Sequence, residues 1–433
     1  MISETAAPAA APAASPAASP ASVQAPSPSG DHHEILVIGA GAGGLSAAAR
    51  LLEADPAADV TLLDPAENHY YQPLWTLVGA GVVPREDSVR KMADLIPRGA
   101  TWIREAAASF DPERNTVVTA GGRTLTYDYL VVSPGLQIDW DAIPGLRDGL
   151  GQHGICSNYA YDASAYTWEA LQALGRKPGP IRALFTHPAG TFKCGGAPQK
   201  IMYLVADYLR RIGRLDDAEI HFFHPGSIIF GVPAFAKTLN EVIARYGIRT
   251  HFGHELVELR PDRQEAVVRH AGPDGEPVER VEAFDFIHVT PPQGPLDVLR
   301  TSPLADPQTG WVEVDRHTMR HTRFGNVFSL GDAGNTPNAK TGAAIRKQAP
   351  VVVENLLTVR AGRDLVDPAT YHGYSSCPLI TGYGKLVLAE FDYDNRPDPS
   401  FPFDTARERY SMWVLKKDVL PRLYWHGMLR GRA

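Results

Sequence analysis

Three cysteines are the residues of this 433-residue chain with obvious redox or nucleophilic chemistry, and their settings differ. Cys194 stands in Lys193-Cys-Gly-Gly-Ala-Pro198, just ahead of a predicted helix over 198–211. Proline suits a first helical turn because its missing N–H has no partner there. A thiol near a helix N-terminus and beside a lysine has a lowered pKa and more thiolate, the nucleophilic form. Gly195 and Gly196 leave room for another group to approach. Cys377 stands in Tyr374-Ser-Ser-Cys-Pro378, read as a turn that presents its side chain and leads into a hairpin bent at Gly382 and Gly384. Cys156, in Gly154-Ile-Cys-Ser-Asn-Tyr159, lacks such punctuation and reads as structural. Free cysteine is commonly an inert, buried hydrophobe. The sequence alone does not bring Cys194 to Cys377, because a bridge needs Cα atoms within about 7 Å.

The elements that must position these thiols begin with an apolar strand over 35–38. It runs into Gly39, Gly41 and Gly44 and then a small-residue helix over 45–53. Gly39 permits a tight turn, Gly41 lets backbone approach a pyrophosphate, and Gly44 lets helix and strand pack closely. The helix start, with Ala42 and Gly43, offers free N–H groups to phosphate. A second strand, Val60–Leu63, ends in Asp64, where a ribose-binding carboxylate belongs. Further on, Tyr129-Leu-Val-Val-Ser-Pro-Gly135 is an apolar strand closed by a small-residue turn. Asn326-Val-Phe-Ser-Leu-Gly-Asp332 is a strand that delivers Gly-Asp to a loop, ahead of a helix over 341–357. Together these segments resemble the two-dinucleotide-domain flavoproteins of the disulfide-reductase superfamily. The resemblance implies FAD, with Asp332 on its ribityl and pyrophosphate groups. It also implies that the helix start at Lys340, Thr341 and Gly342 faces the flavin, and that the strand near Ala107 lies against adenine.

Such proteins carry a second nucleotide domain for NAD(P)H. Here its first strand, over 181–185, is followed by no GxGxxG, and the next, over 220–223, ends in His224-Pro225 without an acid or an arginine cluster. The pyrophosphate cradle is gone and Cys194 stands in its place. Four stretches then resemble the sulfide:quinone oxidoreductases closely: Phe192-Lys-Cys-Gly-Gly-Ala-Pro-Gln-Lys-Ile-Met-Tyr-Leu204, Val289-Thr-Pro-Pro292, Tyr374-Ser-Ser-Cys-Pro-Leu-Ile-Thr-Gly-Tyr383 and Leu388-Ala-Glu-Phe-Asp-Tyr393. The likeness spans about residues 34–430. It implies a redox-active pair, Cys194 and Cys377, oxidising sulfide through noncovalent FAD to membrane quinone. It implies that Cys377 carries the persulfide and that a small thiol or other sulfane-sulfur acceptor removes it. FAD contacts are implied at Ala42, Gly43, Asp64, Gln72, Ala107, Asp332 and Gly342. Lys193, Lys200 and Lys416 are candidates to stabilise anions, and Tyr383, Phe391 and Phe403 to hold a quinone ring. The rival readings are a type II NADH:quinone oxidoreductase and a redox-sensing flavoprotein without turnover.

Composition bounds these readings. The formal net charge of −7 offers no positive field for nucleic acid. Three cysteines exclude a disulfide-stapled scaffold and a four-cysteine zinc site, and no metal site is expected. No apolar run reaches the roughly 18–20 residues that span a bilayer. Residues 1–31 are an Ala/Pro/Ser tail expected to be disordered, without the charges or apolar run of a targeting segment. Residues 405–433 carry seven Lys/Arg against Glu408 and Asp418, interleaved with Trp and Tyr. That pattern predicts two short amphipathic helices, broken at Pro421, that dock on a membrane surface. The expected fold is α/β: a Rossmann-like FAD-binding domain from 34–150 and 300–365, a second Rossmann-like domain over 151–299 without the NAD motif, and a hairpin with membrane-docking segment over 366–433. The expected location is peripheral, on the cytoplasmic face of a bacterial inner membrane, with a homo-oligomer left open.

Overall fold

A computed structural model describes residues 31–433. The expected disordered tail therefore lies, but for Asp31, outside the described residues. The first sheet has seven strands. Its central strand, His32–Ile38, pairs in parallel with Val60–Leu63 on one side and Thr124–Val132 on the other. Val327–Ser329 returns from nearly 200 residues later to pair with Thr124–Val132. Residues 35–38 are buried throughout, as expected of parallel strands covered on both faces. The helix Ala42–Ala54 covers one face and packs against the long helix Gly342–Arg360.

The glycine turn works as its spacing predicts. Gly39 takes φ +91°, and a Cβ there would meet Pro134 Cα at 2.6 Å. A Cβ on Gly44 would fall onto the Gly39 carbonyl oxygen, so glycine at 44 is what lets helix and strand touch. A Cβ on Gly41 would meet nothing within 4 Å, which leaves that face open to a ligand.

The second sheet is five-stranded and parallel, in the order Ile155–Cys156, Phe286–His288, Ile181–Thr186, Ala218–His224, Arg249–Phe252. A three-stranded antiparallel sheet follows the last of these strands in the chain. One buried apolar cluster runs from the first sheet through the second to the C-terminal helices, so these units share a core.

Two expectations change here. Cys377 lies inside a strand, Ser375–Gly382, not in a turn, and it is buried opposite Ala389 of the returning strand Lys385–Phe391. The apolar residues around it (Leu379, Ile380, Val387, Leu388) outweigh the local turn signal of Ser-Ser-Cys-Pro. Pro421 does not divide the C-terminal segment. Tyr410–Val414, a π-helical turn Leu415–Val419 and Leu420–His426 follow without interruption. A proline clashes with the carbonyl four residues back, and the wider π turn relieves that clash. Met412, Trp413, Tyr424, Trp425, Met428 and Leu429 are buried in the core rather than offered to a surface.

Gly44→Ala should lower folding stability by about 1–3 kcal/mol, the usual cost of forcing atoms into a filled contact. Gly41→Ala should leave the denaturation midpoint unchanged and weaken dinucleotide binding. Urea unfolding and flavin content separate the two outcomes.

Candidate functional site

The loop between Ile181–Thr186 and the helix Ala197–Arg211 holds Cys194 at φ +88°, a left-handed conformation rare for a residue with a side chain. Such strain persists only where the surroundings enforce it, and it clusters at functional sites. Ala197 N–H donates to the Cys194 carbonyl at 2.7 Å and closes the turn. Gly196 explains the first of the two glycine expectations. A Cβ there would lie 2.8 Å from Cys377 Sγ and overlap Leu379, so only glycine lets the strand reach the loop. Gly195 opens onto free space.

The two sulfurs meet at 3.1 Å, although 183 residues separate them. Lys200, one turn into the helix, places Nζ 3.3 Å from Cys194 Sγ. The hydrogen bond from Cys377, aided by Lys200 and Lys416, holds the Cys194 thiol well below its usual range. The same bond, with burial, pushes Cys377 well up. The pair is therefore polarised: thiolate on Cys194, proton on Cys377. Burial alone would lower Lys200, but the two sulfurs outweigh it and keep the ammonium charged. Lys416 is buried too, donating to Pro73 O at 2.9 Å over the Tyr71 ring. Burial and the Lys200 charge bring it down to about 7. Lys193 turns away and donates to Gln72 Oε1 at 2.6 Å. Of the three candidate lysines, Lys200 alone contacts a sulfur. Cys156 is buried, its thiol pushed up by burial, and has no sulfur partner.

The dinucleotide residues gather at the carboxyl ends of the first sheet. Asp64 accepts from Ala40 N at 2.6 Å and Ala66 N at 2.7 Å, and burial raises its carboxyl. The helix at Ala42 and Gly43 has no side-chain cap, so its first N–H groups are free for an anion. Gly135 takes φ +82° with open space where a Cβ would be, and Ala107 begins the strand Ala107–Asp111. Lys340 binds the carbonyls of Asp332 and Gly334, each at 2.8 Å, while Thr341 accepts from Ala344 N at 3.2 Å. Both side chains thus shape the Asp332 loop and cap the helix, leaving the Gly342 backbone to face outward. An uncapped helix start, open glycines and a half-buried terminal acid suit a dinucleotide such as FAD.

Three aromatics proposed for one ring do not converge. Tyr383 is at the hairpin tip, its hydroxyl donating to Ala80 O at 2.7 Å. Phe391 is at the open end, paired across from Ser375. Tyr383 and Phe391 stand at opposite ends of a hairpin whose first strand, at eight residues, is about 25 Å long. Phe403 stacks on Phe401 outside it. The aromatic pattern was legible, but side-chain direction along a hairpin was not.

The sequence also gave no signal for His187 and His224, whose rings lie 3.9 Å apart where a nicotinamide cradle would be. Burial lowers them to about 3 and about 4, so both are neutral. They line a cavity of about 310 Å³ with Gly195, Phe230, Phe391 and Asp392. Tyr159, buried and pushed far up by burial and the nearby Cys194 thiolate, is a second neighbour that no motif announced.

The pyridine nucleotide-disulphide oxidoreductase family matches residues 33–173. A mitochondrial sulfide:quinone oxidoreductase from Dictyostelium discoideum is 46% identical over 400 residues, 92% of this chain and 86% of its own length. The crystal structure of the sulfide:quinone oxidoreductase from Aquifex aeolicus superposes with a TM-score of 0.75 at 21% identity, covering 93% of this chain and 92% of that one. A type II NADH:quinone oxidoreductase from Mycobacterium tuberculosis matches only 118 residues, 26% of this chain and 24% of its own. Near full-length identity, together with two sulfurs in contact where a nicotinamide cradle is lacking, puts the chain in one family: it belongs to the sulfide:quinone oxidoreductases.

Proposed function

We propose that this enzyme oxidises sulfide at Cys194 and Cys377 and passes the electron pair to quinone. The contact of the two sulfurs carries the reading. From 3.1 Å they need close by only about 1 Å to form a disulfide. Hydrosulfide attacks the Cys377 sulfur of that disulfide. The Cys194–Cys377 bond breaks, a sulfur–sulfur bond forms on Cys377, and the electron pair leaves on Cys194. A leaving thiol of lower pKa departs faster, and Lys200 makes Cys194 that thiol. FAD, when bound, supplies the two-electron link between dithiol and quinone. Ala42 and Gly43 would hold its phosphates, Asp64 its ribose and Asp332 its ribityl and pyrophosphate groups, with the Gly342 helix start facing the flavin ring.

The cavity beside Gly195 supports an access route for the sulfane-sulfur acceptor. Neutral His224 accepts from Gly226 N–H on Nδ1, leaving an N–H on Nε2 to offer a ligand. No Lys or Arg lines the cavity and Asp392 does, which favours a small thiol over a multiply anionic acceptor. No nucleotide cradle in the second sheet favours NADH as donor.

No helix among the described residues is long and apolar enough to cross a membrane. Tyr410, Val419 and Leu423 are 70%, 46% and 37% exposed on the C-terminal helices, beside Lys417 and Arg422. Exposed apolar residues next to basic ones along these helices suit peripheral docking, here assigned to the cytoplasmic face of a bacterial inner membrane. The docking face is this narrower patch, since the neighbouring tryptophans are in the core.

Cys194→Ser and Cys377→Ser should each keep the flavin and lose sulfide-dependent quinone reduction; turnover by either at the parent rate would remove the pair from the mechanism. In reduced Lys200→Met, the Cys194 pKa should rise, because the charge that favours thiolate is gone while burial remains. Its alkylation by iodoacetamide near neutral pH should fall about tenfold and recover as pH rises past the ordinary thiol range of about 8–9. Replacing Tyr410, Val419 and Leu423 together by Asp should reduce co-sedimentation with anionic liposomes about tenfold at unchanged melting temperature.

A further inference from the structure

The Leu379-Ile-Thr-Gly-Tyr383 stretch has no role in the chemistry above, yet its tip is the most heavily tied part of the hairpin. Asp207, near the end of the helix Ala197–Arg211, is fully buried. Its Oδ1 accepts from Arg210 Nε and Nη2 at 2.9 and 2.7 Å. Its Oδ2 accepts from Arg211 Nε at 3.2 Å and, across 176 residues, from the Tyr383 main-chain N–H at 2.9 Å. Arg211 also donates to Tyr383 O at 3.1 Å and lies over its ring. Tyr246 donates to Thr381 O at 3.0 Å. A Cβ on Gly382 would sit 2.7 Å from the Tyr246 hydroxyl and 3.1 Å from Asp207, so the motif glycine is what admits both groups.

The same helix and strand meet at both of their ends. At the helix start, Gly196 presses on Leu379 and Cys377; about 15 Å further along, Asp207 grips Tyr383. Between them the hairpin ladder is irregular, shifting register between Ile380 and Gly382. The turn therefore does not fix the pairing alone. A one-residue slip of the strand would carry Cys377 about 3.3 Å and turn its side chain to the opposite face. We propose that Asp207 is a positioning residue: by holding the hairpin tip, it sets the register that brings Cys377 to Cys194.

This rests on Cys194 and Cys377 being the reacting pair. The test uses the full-length, FAD-loaded protein and its Asp207→Asn and Asp207→Ala variants, equilibrated anaerobically in glutathione redox buffers. The Cys194–Cys377 disulfide is counted after alkylation, with buried Cys156 as the unreactive reference. Looser positioning lowers the effective concentration of one thiol at the other, so the variants should form the disulfide about tenfold less readily. That is a shift of about 30 mV toward easier reduction. Glu282→Gln, which breaks the partly buried pair between the antiparallel sheet and Arg182 of the parallel one, reports on general destabilisation and should leave the equilibrium in place. Equilibria within twofold of the parent in the folded Asp207 variants, or an equal shift in Glu282→Gln, would overturn the proposal. A parent that never forms the disulfide would instead overturn the reading of the pair. Should Asp207→Ala not fold, Asp207→Asn decides alone.

Discussion

Contact between two sulfurs, polarised by one buried ammonium group, is the constraint around which the rest of the molecule is arranged. Thiols 3.1 Å apart in a low-dielectric interior do not share charge evenly when Lys200 sits 3.3 Å from one of them. The loop must therefore hold Cys194 in a strained left-handed turn, and the strand must bury Cys377 where no solvent competes for its proton. Gly196 is the geometric condition for both, because any side chain there would separate loop from strand. The helix that begins beside Cys194 supplies Lys200 from its first turn and Asp207 from its last, so one element serves both the charge and the alignment.

The parallel part of the first sheet and the parallel second sheet share one plan but have different occupants. In the first, the turn after the central strand keeps its glycines, its uncapped helix start and its terminal acid. In the second, the corresponding turn carries a strained cysteine, and the end of the next strand carries a neutral histidine. A site that lacks the spaced glycines and a ribose acid has little to offer a dinucleotide. A cavity lined by two imidazoles in contact and by phenyl rings has more to offer a small polar guest.

Much of this was legible in the sequence where local rules and global packing agree. The glycine spacing at 39, 41 and 44 dictates a strand–turn–helix whatever surrounds it, and the helix after Cys194 starts within one residue of its expected place. Legibility failed where tertiary contacts override local signals. Ser-Ser-Cys-Pro reads as a turn, yet the apolar residues after it draw the cysteine into a buried strand. Pro421 reads as a break, yet a π turn absorbs it. Tyr383, Phe391 and Phe403 look alike in sequence and point to different places, because direction along a hairpin depends on register. Lys200 was separated from Lys193 and Lys416 only by geometry, since three lysines near the motifs are equivalent until helix phase assigns one to the sulfur.

The π-helical turn has an architectural consequence. It rotates Lys416 inward, to the Pro73 carbonyl and the neighbourhood of the thiolate, while Val419, three residues on, faces outward at 46% exposure. A buried lysine and an exposed apolar side chain are thus carried by a single widened coil. Pruning that tail would remove Lys416 from the neighbourhood of the thiolate as well as the exposed apolar side chains. A change made to that coil therefore reaches the sulfur pair and the outer surface together.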